Sequence, residues 1–163
     1  MASRPSLSRS IALVQPTRPS SMHFSYSVQI AASSATVYEL YSAVSSWSAW
    51  DPEVERAEIE GPFAAGTLGV LKPKGGPESK IELVEVTPDE SFTVRCKLPL
   101  CEMTFSHELA ESASITTATH SVSFTGLLSP VFGFLIGRGI RKTLPDTLGG
   151  LKHAAEQRRC SNR

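Results

Sequence analysis

Neither sign of charge prevails in these 163 residues, where sixteen Lys and Arg stand against sixteen Asp and Glu. A surface without an overall field does not gather phosphate backbones, so charge argues against a nucleic-acid partner. Long apolar runs are absent too. The nearest approach, Phe124 to Ile136, is interrupted by Thr125, Ser129 and Pro130 and falls short of the roughly 20 residues that cross a bilayer. That excludes a transmembrane helix and leaves transient contact with a membrane surface open. Cysteine is scarce: Cys96, Cys101 and Cys160 are odd in number, and their spacing matches neither a zinc ribbon nor a disulfide framework. Reduced thiols, as in a cytoplasmic protein, fit best. No nucleotide-binding glycine loop is present, because Gly75-Gly76 has no helix after it. Nor is there a nucleophile elbow or a usable Cys-His arrangement. No metal and no cofactor are expected.

What is present suffices for one hydrophobic core, since 40% of the residues are apolar. Residues 1–21 differ from the rest: Arg4, Arg9 and Arg18 have no acid among them, serines are many, and Pro5, Pro16 and Pro19 are scattered through. Two readings stand. Such a segment buries too little apolar surface to order itself, and Met22 would then mark the working start. It also has the Arg-rich, Ser-rich, acid-poor composition of a mitochondrial or plastid import sequence, although Pro16 and Pro19 would interrupt an amphipathic helix. The folded domain is set at residues 22–158, with 159–163 as a tail.

The alternation of Phe24, Tyr26, Val28 and Ile30 predicts a first strand with those side chains on one face. Ser33 or Ser34 offers an N-cap for a short helix carrying Val37, Leu40, Tyr41 and Val44, and a second turn bearing Trp47 and Trp50 ends at Asp51-Pro52. Six strands follow: Val54 to Ile59, Gly66 to Leu71, Ile81 to Val86, Phe92 to Leu98, Met103 to Leu109 and Ile115 to Phe124. The loops between them are too short for parallel crossovers, so the sheet is an antiparallel meander. Ser129 as N-cap and Pro130 at the first helical position then open a long amphipathic helix through Phe132, Leu135, Ile136, Ile140, Leu144, Leu148, Leu151 and Ala155. Pro145 is expected to kink it. Gly133, Gly137 and Gly139 each lower helix propensity, which predicts a close approach there by a strand or a ligand.

The order of elements, together with Val37-Tyr38-Glu39-Leu40-Tyr41, Trp47 through Val54, Met103-Thr104-Phe105-Ser106-His107-Glu108-Leu109 and Leu144-Pro145-Asp146-Thr147-Leu148-Gly149-Gly150, resembles the polyketide cyclase, dehydrase and lipid-transport superfamily, the START-like SRPBCC proteins. The resemblance implies an α+β helix-grip fold: an antiparallel sheet of about seven strands curved around a long C-terminal helix, with two short helices after the first strand. It says little about chemistry, because lipid carriers, hormone receptors, cyclases and hydrolases share the superfamily.

Strand alternation places Met103, Phe105, His107 and Leu109 on the inner face, with Ala118, His120, Val122 and Phe124 on the next strand. A two-residue turn at Ser112-Ala113 would set Phe105 opposite His120, leaving His107 and His120 diagonal neighbours at roughly 7–8 Å. Two inward imidazoles either orient a ligand carbonyl or hydroxyl or serve as acid and base. In the plainer reading, one is a buried histidine bonded to backbone or water and the other lies near the rim. Trp47 and Trp50 would flank the mouth, with Asp51 a turn residue, and Phe132, Ile136 and Ile140 would roof the pocket. Each doubles as core. Arg95 and Glu102 lie on the outer face and pair weakly. Cys96 and Cys101 flank a hairpin loop and either face each other across it or act as small apolar fillers. Arg138, Arg141 and Lys142 form a basic patch, read as a solvated helix face or as a contact for anionic headgroups.

The leading functional reading is a protein that binds a small hydrophobic ligand, such as a lipid, polyketide, sterol or quinone. It ranks ahead of a cyclase or dehydrase using His107 and His120, because the inner face holds little polarity. A third reading joins the Arg-rich leader to the fold as an organellar lipid chaperone similar to the coenzyme Q-binding branch.

Overall fold

The computed structural model describes residues 22–161. Strand β1 (Met22–Ile30) leads into helix α1 (Ser34–Ser42) and a 3-10 turn (Val44–Ala49). Strands β2 (Val54–Ile59), β3 (Leu68–Pro73), β4 (Ser79–Thr87), β5 (Ser91–Leu98), β6 (Cys101–Ser112) and β7 (Ile115–Thr125) follow. The chain closes with α2 (Ser129–Phe132), a wider π-helical turn (Gly133–Gly137) and α3 (Arg138–Ser161). Strand order is β1-β7-β6-β5-β4-β3-β2, so six strands run as an antiparallel meander and β1 returns beside β7. This is the expected helix-grip architecture. The last helix runs to Ser161, past the boundary set at residue 158, and the proposed tail or import segment at 1–21 lies outside the described residues.

Local chemistry accounts for most element ends. Ser33 caps α1, its hydroxyl accepting from the Thr36 amide. The β6–β7 hairpin turns on Ala113 and Ser114, both left-handed at φ 51° and 65°, the geometry whose twist matches that of the flanking strands. The turn therefore lies one residue beyond the expected Ser112-Ala113. Since Ser112 pairs with Ile115, the register moves by two residues and the histidines are no longer diagonal. Along β1, Phe24 and Val28 are half-buried and Ile30 is buried, whereas Tyr26 on this edge strand stays 44% exposed.

The C-terminal helix departs from expectation at three points. Leu128, not Ser129, occupies the N-cap position, and Pro130 still sits in the first turn. The helix includes Pro145; an irregularity not foreseen is the π turn, whose two bounding glycines seat it on the sheet. A side chain at Gly133 would strike Met22, and one at Gly137 would press on Phe124 and Phe24, whereas Gly139 faces open space. Close approach thus explains two of the three glycines.

Helix α3 packs principally on β1 and α1 and more lightly on β7, while the 3-10 turn covers β2. Two buried clusters result. One gathers Ile30, Val37, Leu40, Tyr41, Trp47, Leu83, Phe92, Ala118, Leu148 and Leu151; the other holds Cys101, Val122, Phe124 and Leu144. Polar ties pin the far end of α3: Lys152 Nζ donates to the Gln29 carbonyl at 2.8 Å, Glu156 accepts from the Ala31 amide at 3.0 Å, and Arg159 donates to the Ala31 carbonyl at 2.7 Å.

Adjacent glycines on α3 give a test of this seating. A Cβ at Gly150 would overlap the Trp50 carbonyl oxygen, which is backbone and cannot swing away, whereas a Cβ at Gly149 meets nothing within 4 Å. Gly150→Ala should lower unfolding free energy by about 3 kcal/mol. Gly149→Ala should raise it by about 0.5–1 kcal/mol through helix propensity. Urea melts of the two variants would read both signs.

Candidate functional site

The centre of the molecule is one rung of the β6–β7 ladder. His107 pairs directly with His120 across it, and on the other side of β6 the same residue pairs with Phe92 of β5. Three consecutive strands thereby place three rings in a row. His107 lies flat on Phe92, centroids 4.0 Å apart and planes 3° apart, and meets the His120 ring edge-on at 4.3 Å. Helix α1 lowers Tyr41 onto the group. Its hydroxyl shares a 2.8 Å hydrogen bond with His120 Nε2, and its ring lies 5.6 Å from His107 and 5.0 Å from Phe92. Phe63 packs on Phe92 at 5.0 Å, and Trp50 on Tyr41 at 6.1 Å. Trp47 lies 6.4 Å from Phe92 and donates its indole N–H to the Tyr41 carbonyl at 2.8 Å.

Burial in this apolar cluster penalises charge on every member. His107 is pushed down to about 3, chiefly by desolvation, with the backbone at Phe92 and Phe105 acting weakly the other way. His120 is held well below the ordinary histidine value by desolvation and by the neighbouring His107. Tyr41 is driven upward by burial and keeps its proton. At neutral pH the group is therefore an uncharged chain of hydroxyl and imidazoles, able to donate or accept without carrying charge. Two buried polar atoms bordering it have no hydrogen-bond partner among the described residues: His107 Nδ1 and Trp50 Nε1. Buried donors and acceptors are nearly always satisfied, so each exception calls for an explanation.

At the histidine end, protein rings fill the space under the helices. Toward the other end, Met103, Phe105, Phe132, Ile136 and Ile140 pack on buried apolar neighbours yet are only partly buried themselves. Phe105 touches both clusters and marks the seam between them. Elsewhere a depression of about 530 Å³ reaches His107 and Leu109 past Glu85, Glu90, Ser91, Thr93, Ser106 and Glu108. Its walls are polar and acidic, unlike the apolar enclosure expected of a lipid site. Among the described residues, no three His, Cys, Asp or Glu side chains converge on a possible metal position.

A family model for polyketide cyclase / dehydrase and lipid transport proteins matches residues 21–156. The chain belongs to this family. A search of curated proteins returns no match. Solved structures resemble it in fold. A Thalictrum flavum norcoclaurine synthase point mutant, in complex with a transition-state analogue, superposes with a TM-score of 0.69 at 14% identity, over 88% of this chain and 99% of that one. The Zhui aromatase/cyclase from Streptomyces sp. R1128 gives 0.67 at 17% identity, over 85% and 96%. The protein Ara h 8.0201 gives 0.65 at 11% identity, over 83% and 98%. Identities this low establish the shared architecture and nothing about chemistry.

Within this family frame, the residues singled out from sequence divide into two groups. His107, His120, Trp47 and Trp50 join the ring cluster; Met103, Phe132, Ile136 and Ile140 pack against the second cluster; Phe105 touches both. Trp47 is buried, at 6% exposure. Asp51 is the expected turn residue, its carboxylate accepting from the Glu53 amide, and it also accepts from the Thr147 hydroxyl of α3 at 3.0 Å. Burial raises its pKa, partly offset by these bonds. Arg95 pairs on the outer face with Glu82 at 2.8 Å, more closely than with Glu102 at 3.8 Å. Cys96 and Cys101 do not face each other: Cys96 opposes Met103 and Cys101 opposes Leu98, because the hairpin turns on Pro99 and Leu100 alone. Both are buried free thiols. Tyr41, Phe63 and Phe92 were missed as site residues. Tyr41 read as helix core, and only strand register brings Phe92 beside His107.

Two measurements probe this cluster. Unfolded histidines titrate near 6.5, but the buried rings resist protonation until about 3 in the case of His107. Acid therefore favours the unfolded chain, and the stability present above about pH 6.5 drains away as pH falls. Replacing His107 with Gln should reduce the slope of unfolding free energy between pH 6 and 4 by about 1 kcal/mol per pH unit. An unchanged slope would mean that the ring already charges in the folded protein. Tyr41→Phe leaves His120 Nε2 unpaired in the core and should cost about 1–3 kcal/mol by chemical denaturation at pH 7.

Proposed function

We propose that the protein binds a small hydrophobic ligand, such as a lipid, polyketide, sterol or quinone, between the concave sheet and the first half of the C-terminal helix. One observation supports the reading: Met103, Phe105, Phe132, Ile136 and Ile140 are apolar side chains packed against the second core cluster that the protein itself only partly buries. Apolar burial at about 25 cal/mol per Å² supplies the drive. The unpartnered His107 Nδ1 and Trp50 Nε1 favour a ligand that carries a carbonyl or hydroxyl oxygen, since the indole N–H can only donate to such an oxygen and the imidazole nitrogen donates or accepts according to its tautomer. Membership of a family described by lipid transport as well as by cyclase chemistry supports the same class of ligand.

The test is titration of delipidated protein with a lipid and quinone panel and an environment-sensitive dye. Saturable binding is expected, and Ile136→Trp, which fills the seam from a half-buried position, should weaken it by about 10-fold or more while circular dichroism stays unchanged. Absence of saturable binding across the panel would overturn the reading.

A second reading has its own support in the Tyr41–His120–His107 contact chain. Uncharged imidazoles next to a hydroxyl suit proton transfer on a bound polyketide, as in a cyclase or dehydrase. Turnover of a polyketide substrate left intact by the His107→Gln, His120→Gln double variant would remove it. The organellar, coenzyme Q-binding-like version rests on residues 1–21, and sequencing the mature N-terminus from cells tests it.

A further inference from the structure

We propose that the outer face of residues 127–142 docks the protein on an anionic membrane surface. The inner side of this segment is accounted for: Gly133 and Gly137 are buried against the sheet, and Phe132, Ile136 and Ile140 are half-buried beneath it. Yet the outer side is also apolar. Leu127 is 79% exposed, Val131 49%, Phe134 59% and Leu135 67%. The β5–β6 turn adds Leu100, 68% exposed, whose carbonyl accepts from the Leu128 amide. Single exposed leucines are ordinary, but a contiguous patch of this kind marks an interaction surface.

The occupant is identified by charge. Next along the chain stand three exposed cations: Arg138, at i+4 from Phe134 and i+3 from Leu135, and then Arg141 and Lys142, at i+3 and i+4 from Arg138. None of the three makes an ion pair among the described residues. Arg138 lies over the Phe134 ring at 5.3 Å, joining the basic and apolar parts. No Asp or Glu occurs between Glu111 and Asp146, so the local field is positive although the whole chain is neutral. An apolar tip with a basic collar suits an interfacial helix, whose apolar side sinks about 5–10 Å into the headgroup boundary while its cations stay at the phosphate level. A second copy of the chain fits less well, because a two-fold contact through this patch would bury the three cations with no Asp or Glu on the segment between Glu111 and Asp146 to pair them.

Flotation of the full chain with equimolar phosphatidylcholine/phosphatidylserine vesicles, against pure phosphatidylcholine vesicles, tests the proposal. Co-flotation with the anionic vesicles only is expected, weakening as salt rises. The triple variant Arg138→Glu, Arg141→Glu, Lys142→Glu should lose on the order of 100-fold in partition. Phe134→Ser with Leu135→Ser should lose on the order of 10-fold through the missing apolar anchor. All five positions are exposed, so thermal melts should match the parent. No flotation would overturn the proposal, as would undiminished flotation of the triple variant, which would place any attraction elsewhere, at Arg4, Arg9 and Arg18 for instance. A concentration-dependent dimer abolished by Phe134→Ser with Leu135→Ser would also overturn it, assigning the patch to a second copy. Ligand titration in solution needs no vesicle, so this outcome is independent of the pocket reading.

Discussion

The seat of the C-terminal helix on the β1 side of the sheet constrains everything else in the molecule. At its far end, Gly150 lies under the Trp50 carbonyl, Thr147 donates to Asp51, and Lys152, Glu156 and Arg159 hold the backbone of residues 29 and 31. At its near end, Gly133 and Gly137 rest on Met22, Phe24 and Phe124 with no side chain between. Backbone carbonyls and packed rings cannot give way as flexible side chains do, so the helix has one position. The π turn lies between these anchors. It accommodates a helix that must begin against Leu128 and still arrive in register with α1.

This seating produces the division inside the fold. Where α1 and α3 both press on the sheet, the interior closes around Tyr41, Phe92, His107 and His120. Where α2, the π turn and the first turns of α3 stand over β6 and β7, Met103, Phe105, Phe132, Ile136 and Ile140 remain only partly buried. The closed part holds polar atoms in a dry environment, and desolvation keeps its imidazoles neutral. The half-covered part offers area and little polarity. A ligand that spans both would gain affinity from the second and orientation from the first.

The same helix segment has two apolar sides, one toward the sheet and one toward the outside. Fold alone assigns neither a purpose, since one architecture hosts carriers and enzymes alike. The proposed interior site and the proposed membrane-facing surface would share one wall, the helical segment from Leu128 to Ile140. Any displacement of that wall would therefore be felt on both sides.

Much of this was legible from residue order. Alternation at Met103, Phe105 and His107 and the long stripe from Phe132 to Ala155 were enough for the architecture, because periods of two and of 3.6 are local properties of a chain. Absences spoke clearly as well: neutral charge and a broken apolar run need no coordinates. The histidine contact was not legible. Its register depended on whether the turn sat at Ser112-Ala113 or Ala113-Ser114, and two left-handed non-glycine residues give no signal that a sequence reader would choose. The partnership of Tyr41 with His120, residues 79 positions apart, is set by how α1 lies across the sheet. The sequence by itself determined which side chains are apolar, which face inward and that one long helix must cover one curved sheet. Only the tertiary structure decided which inward groups meet, where the interior closes and which greasy residues remain outside, because those follow from packing between elements distant in the chain.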